Sequence, residues 1–139
     1  IVGRYQHLTL ISDYGHHPVE IAATLQAART TYPNARLLAI IEPHTAERLQ
    51  ALLPQFIQTL STAPVDGIVI GPTFVATGRT HGVPDQHHQL YQAVAHSRSG
   101  VSQIESYDEV IPLLHTMAEQ FDVVIGFTAG RLDAYLRRV

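Results

Sequence analysis

Cysteine and lysine are both absent from this sequence, and each absence removes a class of chemistry. Without cysteine there are no disulfides and no thiolate metal sites, so the redox compartment stays open. Without lysine the chain cannot supply a P-loop lysine from any position; all nine basic residues are arginine. Charge is sparse too: charged residues make up 15% and the formal net charge is -3, a poor match to nucleic acid or an anionic membrane. No apolar run reaches the length of a membrane span, and no signal-peptide pattern opens the chain. No GxSxG elbow occurs, which argues against a serine hydrolase. What remains is a composition 45% hydrophobic over 139 residues, that of one globular domain with a real core. Nine histidines match the arginines in number, so their protonation near pH 6 reverses the net charge. The start on Ile1, with a strand approach following at once, reads as a domain cut from a longer polypeptide.

Five short, nearly continuous apolar runs recur: "HLTLI", "RLLAII", "DGIVIG", "VSQI" and "DVVIGF". Runs of this length suit strands of a parallel sheet covered on both faces; only "VSQI" alternates, which suits a place near an edge. Between them lie helical patterns. Pro18 stands at a first-turn position ahead of the stripe Ile21, Leu25 and Ala28, and Pro33 stops that helix after Arg29. Leu49, Leu52, Leu53, Phe56, Ile57 and Leu60 define a second helix, in which Pro54 predicts a kink or a restart. A third helix follows Pro84 with Leu90, Tyr91 and Val94. Ser106 and Glu109 have capping-box spacing ahead of Val110, Leu113, Leu114 and Met117. Leu132, Tyr135, Leu136 and Val139 mark the last helix. The alternation predicts an α/β fold, a three-layer Rossmann-like domain over residues 1–139 with a mostly parallel sheet of five or six strands and helices on both faces.

In such a sheet every strand-to-helix loop emerges at one edge, where ligands bind. Asp13, Tyr14, His16, His17, Glu42, His44, Arg48, Arg79 and Arg131 all fall in or just after such loops, whereas the opposite edge receives duller segments such as "TTYPNA". The stretch 71–85 is too long for a plain turn and is a candidate functional loop. Gly15 suggests a backbone conformation closed to other residues, ahead of a helix start whose bare N–H groups favour an anion. The plainer reading is that Asp13 or His17 simply caps that helix. His16 and His17, being adjacent, point to opposite sides in extended chain. Arg48 suits a carboxylate or phosphate, or is an exposed first-turn arginine. The histidines come as adjacent pairs rather than at metal-ligand spacing, so no metal site is predicted.

Together these segments resemble a known family. "DYGHHPVEIAATLQAAR" closely resembles the stretch that opens the C-terminal domain of Mur ligases, which reads "DDYGHHPTEI" there; Ser12 stands for the first aspartate. "PHTAER" is similar to the family's "PHRYSR", with Thr45 and Ala46 replacing an arginine and a tyrosine, while "TFVATGR" and "FTAGR" occupy the places of "YAAGE" and "QGAGD". The resemblance spans essentially the whole chain and implies the C-terminal, amino-acid-binding domain of a cytoplasmic, ATP-dependent amide ligase of peptidoglycan precursor synthesis. In the branch it most resembles, L-alanine is joined to UDP-N-acetylmuramate through an acyl phosphate. It implies Asp13 on the nucleotide side and Tyr14, His16, His44 and Arg48 orienting the amino acid, with no residue of this domain making or breaking bonds. ATP and Mg2+ would be bound by N-terminal and central domains absent from this chain, as would the UDP-sugar; the domain alone would bind no cofactor and be inactive. A non-catalytic binding domain and a murein-peptide recycling ligase are the alternatives; no oligomeric state follows from the sequence.

Overall fold

The computed structural model describes residues 1–75 and 83–139. Strands β1 (Gly3–Tyr5), β2 (Leu8–Asp13), β3 (Leu37–Ile41), β4 (Gly67–Ile70), β5 (Val101–Gln103) and β6 (Val123–Phe127) form one sheet in the order β1-β2-β6-β3-β4-β5. Only the β1–β2 pair is antiparallel, and the "VSQI" segment lies at the edge as expected. Helices α1 (Pro18–Thr31), α2 (Ala46–Ser61), α3 (His87–Ser97), α4 (Val110–Met117) and α5 (Leu132–Leu136) complete the three layers.

Every residue of β3, β4 and β6 is buried, which is why these strands are continuously apolar rather than alternating. Their side chains divide by the two-residue pleat. Leu37, Ala39 and Ile41 join Ile21, Leu25, Phe56 and Leu90 beneath α1–α3. Leu38 and Ile40 join Val110, Leu114, Leu132 and Leu136 beneath α4 and α5. The chain steps from β2 through β3 and β4 to β5 with its crossover helices on one face. It then returns with α4 on the other face to insert β6 between β2 and β3, so both directions of travel keep the same crossover hand.

Two local expectations change in detail. Helix α2 continues through Pro54 without a restart: Pro54 lies on the solvent side, where the carbonyl left without its N–H can be met by water. The capping box at Ser106 and Glu109 opens a 3-10 turn, Tyr107–Glu109, and α4 proper begins at Val110.

Candidate functional site

The parallel strands end at one edge, and the loop after β2 shows how that edge is shaped. Asp13 turns back into its own loop: its Oδ1 accepts from Gly15 N at 2.6 Å and its Oδ2 from the Thr24 hydroxyl at 3.2 Å. Gly15 does not need a positive φ here; its φ is not in the left-handed region. It is needed for room, since a Cβ would stand 2.6 Å from Asp13 Oδ1. His17 takes the plainer role. It is the N-cap of α1, its Nδ1 accepting from Val19 N at 3.1 Å while Glu20 Oε1 accepts from His17 N at 3.2 Å, a reciprocal capping box built on histidine. That leaves His16 free for the rim, with its Nδ1 on the Tyr14 carbonyl at 3.1 Å. The expected divergence of the two histidines is what the structure shows.

The loop after β3 meets it. The His16 and His44 rings lie 5.0 Å apart, Tyr14 packs edge-on to His16 at 5.8 Å, and His44 stacks on Phe74 at 5.3 Å with the planes 10° apart. The backbone fixes that stack: Phe74 N donates to Pro43 O at 2.7 Å and Thr45 N donates to Phe74 O at 3.1 Å, one bridge on each side of His44. Thr45, the N-cap of α2, holds φ at +67°, costly for a β-branched residue. Burial is the main cause that pushes the His44 pKa below its ordinary value; the nearby His16 and Arg48 charges add to it and Glu42 opposes. Its Nδ1 is buried and finds no hydrogen-bond partner among the described residues.

Glu42 is on this loop but not on the surface, being only 2% exposed. Its Oε1 accepts from the Thr128 hydroxyl at 2.7 Å and Gly130 N at 3.0 Å. Its Oε2 accepts from the Tyr107 hydroxyl at 2.5 Å and from Arg131 N and Leu132 N, each at 3.0 Å. Burial, then the bond to Glu42, drives the Tyr107 pKa upward. Gly130 is packed against Phe74, and a Cβ there would run into the ring. Beyond β4 the Thr73 hydroxyl donates to Asp85 at 2.7 Å, and Asp85 pairs with His87 at 2.9 Å.

Among the residues expected at the site, the structure therefore joins Tyr14, His16 and His44, with Arg48 close enough for its charge to act on His44. Arg48 is exposed, and no carboxylate among the described residues pairs with it. Asp13 faces its own turn, Arg131 lies 4.8 Å from the Tyr107 ring centroid, and Arg79 lies outside the described residues. Phe74 and Tyr107 are the members that sequence reasoning did not single out; the mark of Phe74 was its place in the long loop after β4. Among the described residues, no group of three histidine, aspartate or glutamate side chains could hold a metal ion. An aromatic and imidazole wall beside a guanidinium with no carboxylate partner among the described residues suits a small zwitterion or carboxylate.

Comparison with known proteins finds relatives along nearly the whole chain. The UDP-N-acetylmuramate–L-alanine ligase of Nitratidesulfovibrio vulgaris is 36% identical over 138 residues, 98% of this chain but 30% of the relative. The ligase of the same name from Caldanaerobacter subterraneus is 33% identical over 132 residues, 95% of this chain and 28% of the relative. The chain thus spans under a third of the length of the relatives it matches. Among solved structures, UDP-N-acetylmuramate–alanine ligase from Thermotoga maritima superposes with a TM-score of 0.65 at 22% identity, over 94% of this chain and 25% of that one. A separate domain from a proposed UDP-N-acetylmuramate:L-alanyl-γ-D-glutamyl-diaminopimelate ligase of Haemophilus ducreyi gives 0.69 at 20% identity, over 98% of this chain and 91% of that one. No helix of the described residues is long and apolar enough to cross a membrane. The family model of the Mur ligase glutamate ligase domain matches residues 1–130, and the chain belongs to that family.

Proposed function

We propose that this domain supplies the amino-acid half of an ATP-dependent ligase that joins L-alanine to UDP-N-acetylmuramate through an acyl phosphate. The observation that carries the reading is the convergence of Tyr14, His16 and His44 beside Arg48, a cation with no carboxylate partner among the described residues. Arg48 pairs with the carboxylate of the incoming amino acid, a planar fork meeting a planar acceptor. His44, whose burial favours the neutral imidazole, offers a lone pair toward the amino group without adding a second positive charge. Tyr14 and His16 form the wall that orients the amino acid, and Asp13 holds the turn on the nucleotide side.

ATP, Mg2+ and the UDP-sugar bind to other domains of a longer, cytoplasmic protein. The chain has no lysine for a P-loop, and its described residues gather no metal-binding group. The names of the relatives at 33–36% identity support the alanine branch over the peptide-recycling one. The test is phosphate release by the full-length protein with ATP and UDP-N-acetylmuramate, screened across amino acids. The expected result is release that depends on L-alanine. Release with a murein peptide instead would move the protein to the recycling ligases, and none with any acceptor would leave a binding domain.

A further inference from the structure

Glu42 is the most heavily bonded side chain at the rim among the described residues. It accepts from five donors: two hydroxyls, on Tyr107 and Thr128, and three peptide N–H groups, of Gly130, Arg131 and Leu132. It stands two residues before His44, and the turn it grips carries Gly130, which packs on the far partner of the His44 stack, Phe74. We infer that Glu42 is the positioning residue of the amino-acid site: its carboxylate clamps the turn 128–132, the turn seats Gly130 against Phe74, and Phe74 holds the His44 ring in place.

The chemistry of the clamp is specific to a carboxylate. Each of its oxygens accepts at least one peptide N–H, from Gly130 on Oε1 and from Arg131 and Leu132 on Oε2. A hydroxyl can rotate to accept from an amide, but a peptide N–H cannot. A glutamine in either flip therefore sets its NH2 against a peptide donor and breaks the grip on one side of the turn. Phe74 passes the constraint on through its ring and through both backbone bonds that flank His44.

The inference rests on the ligase reading only for its kinetic arm. In the 139-residue chain, proton NMR of the His44 ring reads its stacking on Phe74 directly. Glu42→Gln, folded by circular dichroism, is expected to move the His44 ring protons toward the positions of an unstacked histidine. In the full-length protein the same change is expected to raise the apparent KM for the amino acid about tenfold with kcat within about threefold, the mark of lost ground-state positioning. Should Glu42→Gln fail to fold, Gly130→Ala disturbs the contact one link later while leaving Glu42 itself unchanged, and it must move the same signals. A folded Glu42→Gln or Gly130→Ala chain with His44 resonances at their parent positions overturns the inference. That result would leave the ligase reading standing, whereas absent ligase activity with displaced His44 signals would sink the ligase reading and keep the clamp.

Discussion

The two edges of the sheet use arginine in opposite ways. At the edge where the parallel strands begin, Arg29, Arg36 and Arg98 are each held by several partners, although the buried Arg98 Nε finds none among the described residues. Arg29 donates to the carbonyls of Pro64 and Ala35 at 3.0 and 2.8 Å and pairs with Asp66 at 2.9 Å. Arg98 donates to the carbonyls of Leu60, Ala63 and Val65. Arg36 forks onto both oxygens of Asp122. At the edge where the strands end, Arg48 has no carboxylate partner among the described residues, and Arg131 lies over a tyrosine ring. Polar residues are common at both edges, so their number does not mark the site. A guanidinium with no carboxylate partner among the described residues, set near the His44 ring, does.

Three experiments bear on that contrast. The largest effect is expected at the engaged edge. Arg98→Ala strips three carbonyls of their donor and should cost about 2–4 kcal/mol of stability, lowering Tm by roughly 10 °C. Ligase turnover per folded molecule of the full-length protein should stay near the parent value. Next in size, Arg48→Ala should leave Tm within about 2 °C, as for an exposed residue without a fixed partner. It should raise the KM for the amino acid by about tenfold or more, the loss of one charge-assisted pair. Unchanged amino-acid kinetics in Arg48→Ala would erase the distinction between the edges.

The smallest effect is in acid, where the edges should separate by pH. His44 has its pKa lowered in the folded state, so the unfolded chain binds the proton more readily. Its contribution is complete above pH 6.5 and fades as pH falls through the lowered folded value. Asp122 is held near a pKa of about 2, chiefly by the Arg36 side chain and also by its backbone N–H. Its contribution is complete above pH 3.8 and is lost as pH falls toward 2. Tm against pH for the parent, His44→Gln and Asp122→Asn should therefore diverge in two different windows, the first mildly and the second strongly acidic. One shared window would contradict the assignment of His44 to a desolvated rim.

What could be read from the sequence follows the range of the forces involved. β3, β4 and β6 were legible because burial on both faces writes itself into adjacent residues, and α1 because Pro18 and the Ile21–Leu25–Ala28 stripe are local. The loops ending at one edge followed from topology alone. Glu42 was legible as a loop residue but not as a buried one, because its hydroxyl partners Tyr107 and Thr128 are 65 and 86 residues away. Gly15 was recognisable as a turn glycine, yet its reason is the Asp13 side chain rather than its own dihedral. His17 as a cap was one of two readings, since histidine is not among the favoured N-cap residues and only the reciprocal bond with Glu20 decides it.

The place of β6 has a consequence for how this domain is made. Of the strands, it is the last to be synthesised, yet it sits between β2 and β3 and is paired on both sides. A nascent chain that ends at α4 lacks the strand that joins the β1–β2 pair to β3, β4 and β5. β2 and β3 cannot gain their shared partner until residues 123–127 are made. Closure must then come late and through contacts distant in sequence, a slow step that offers time for a wrong strand to pair there. The loops that carry Tyr14, His16 and His44 follow β2 and β3, which are neighbours only through β6.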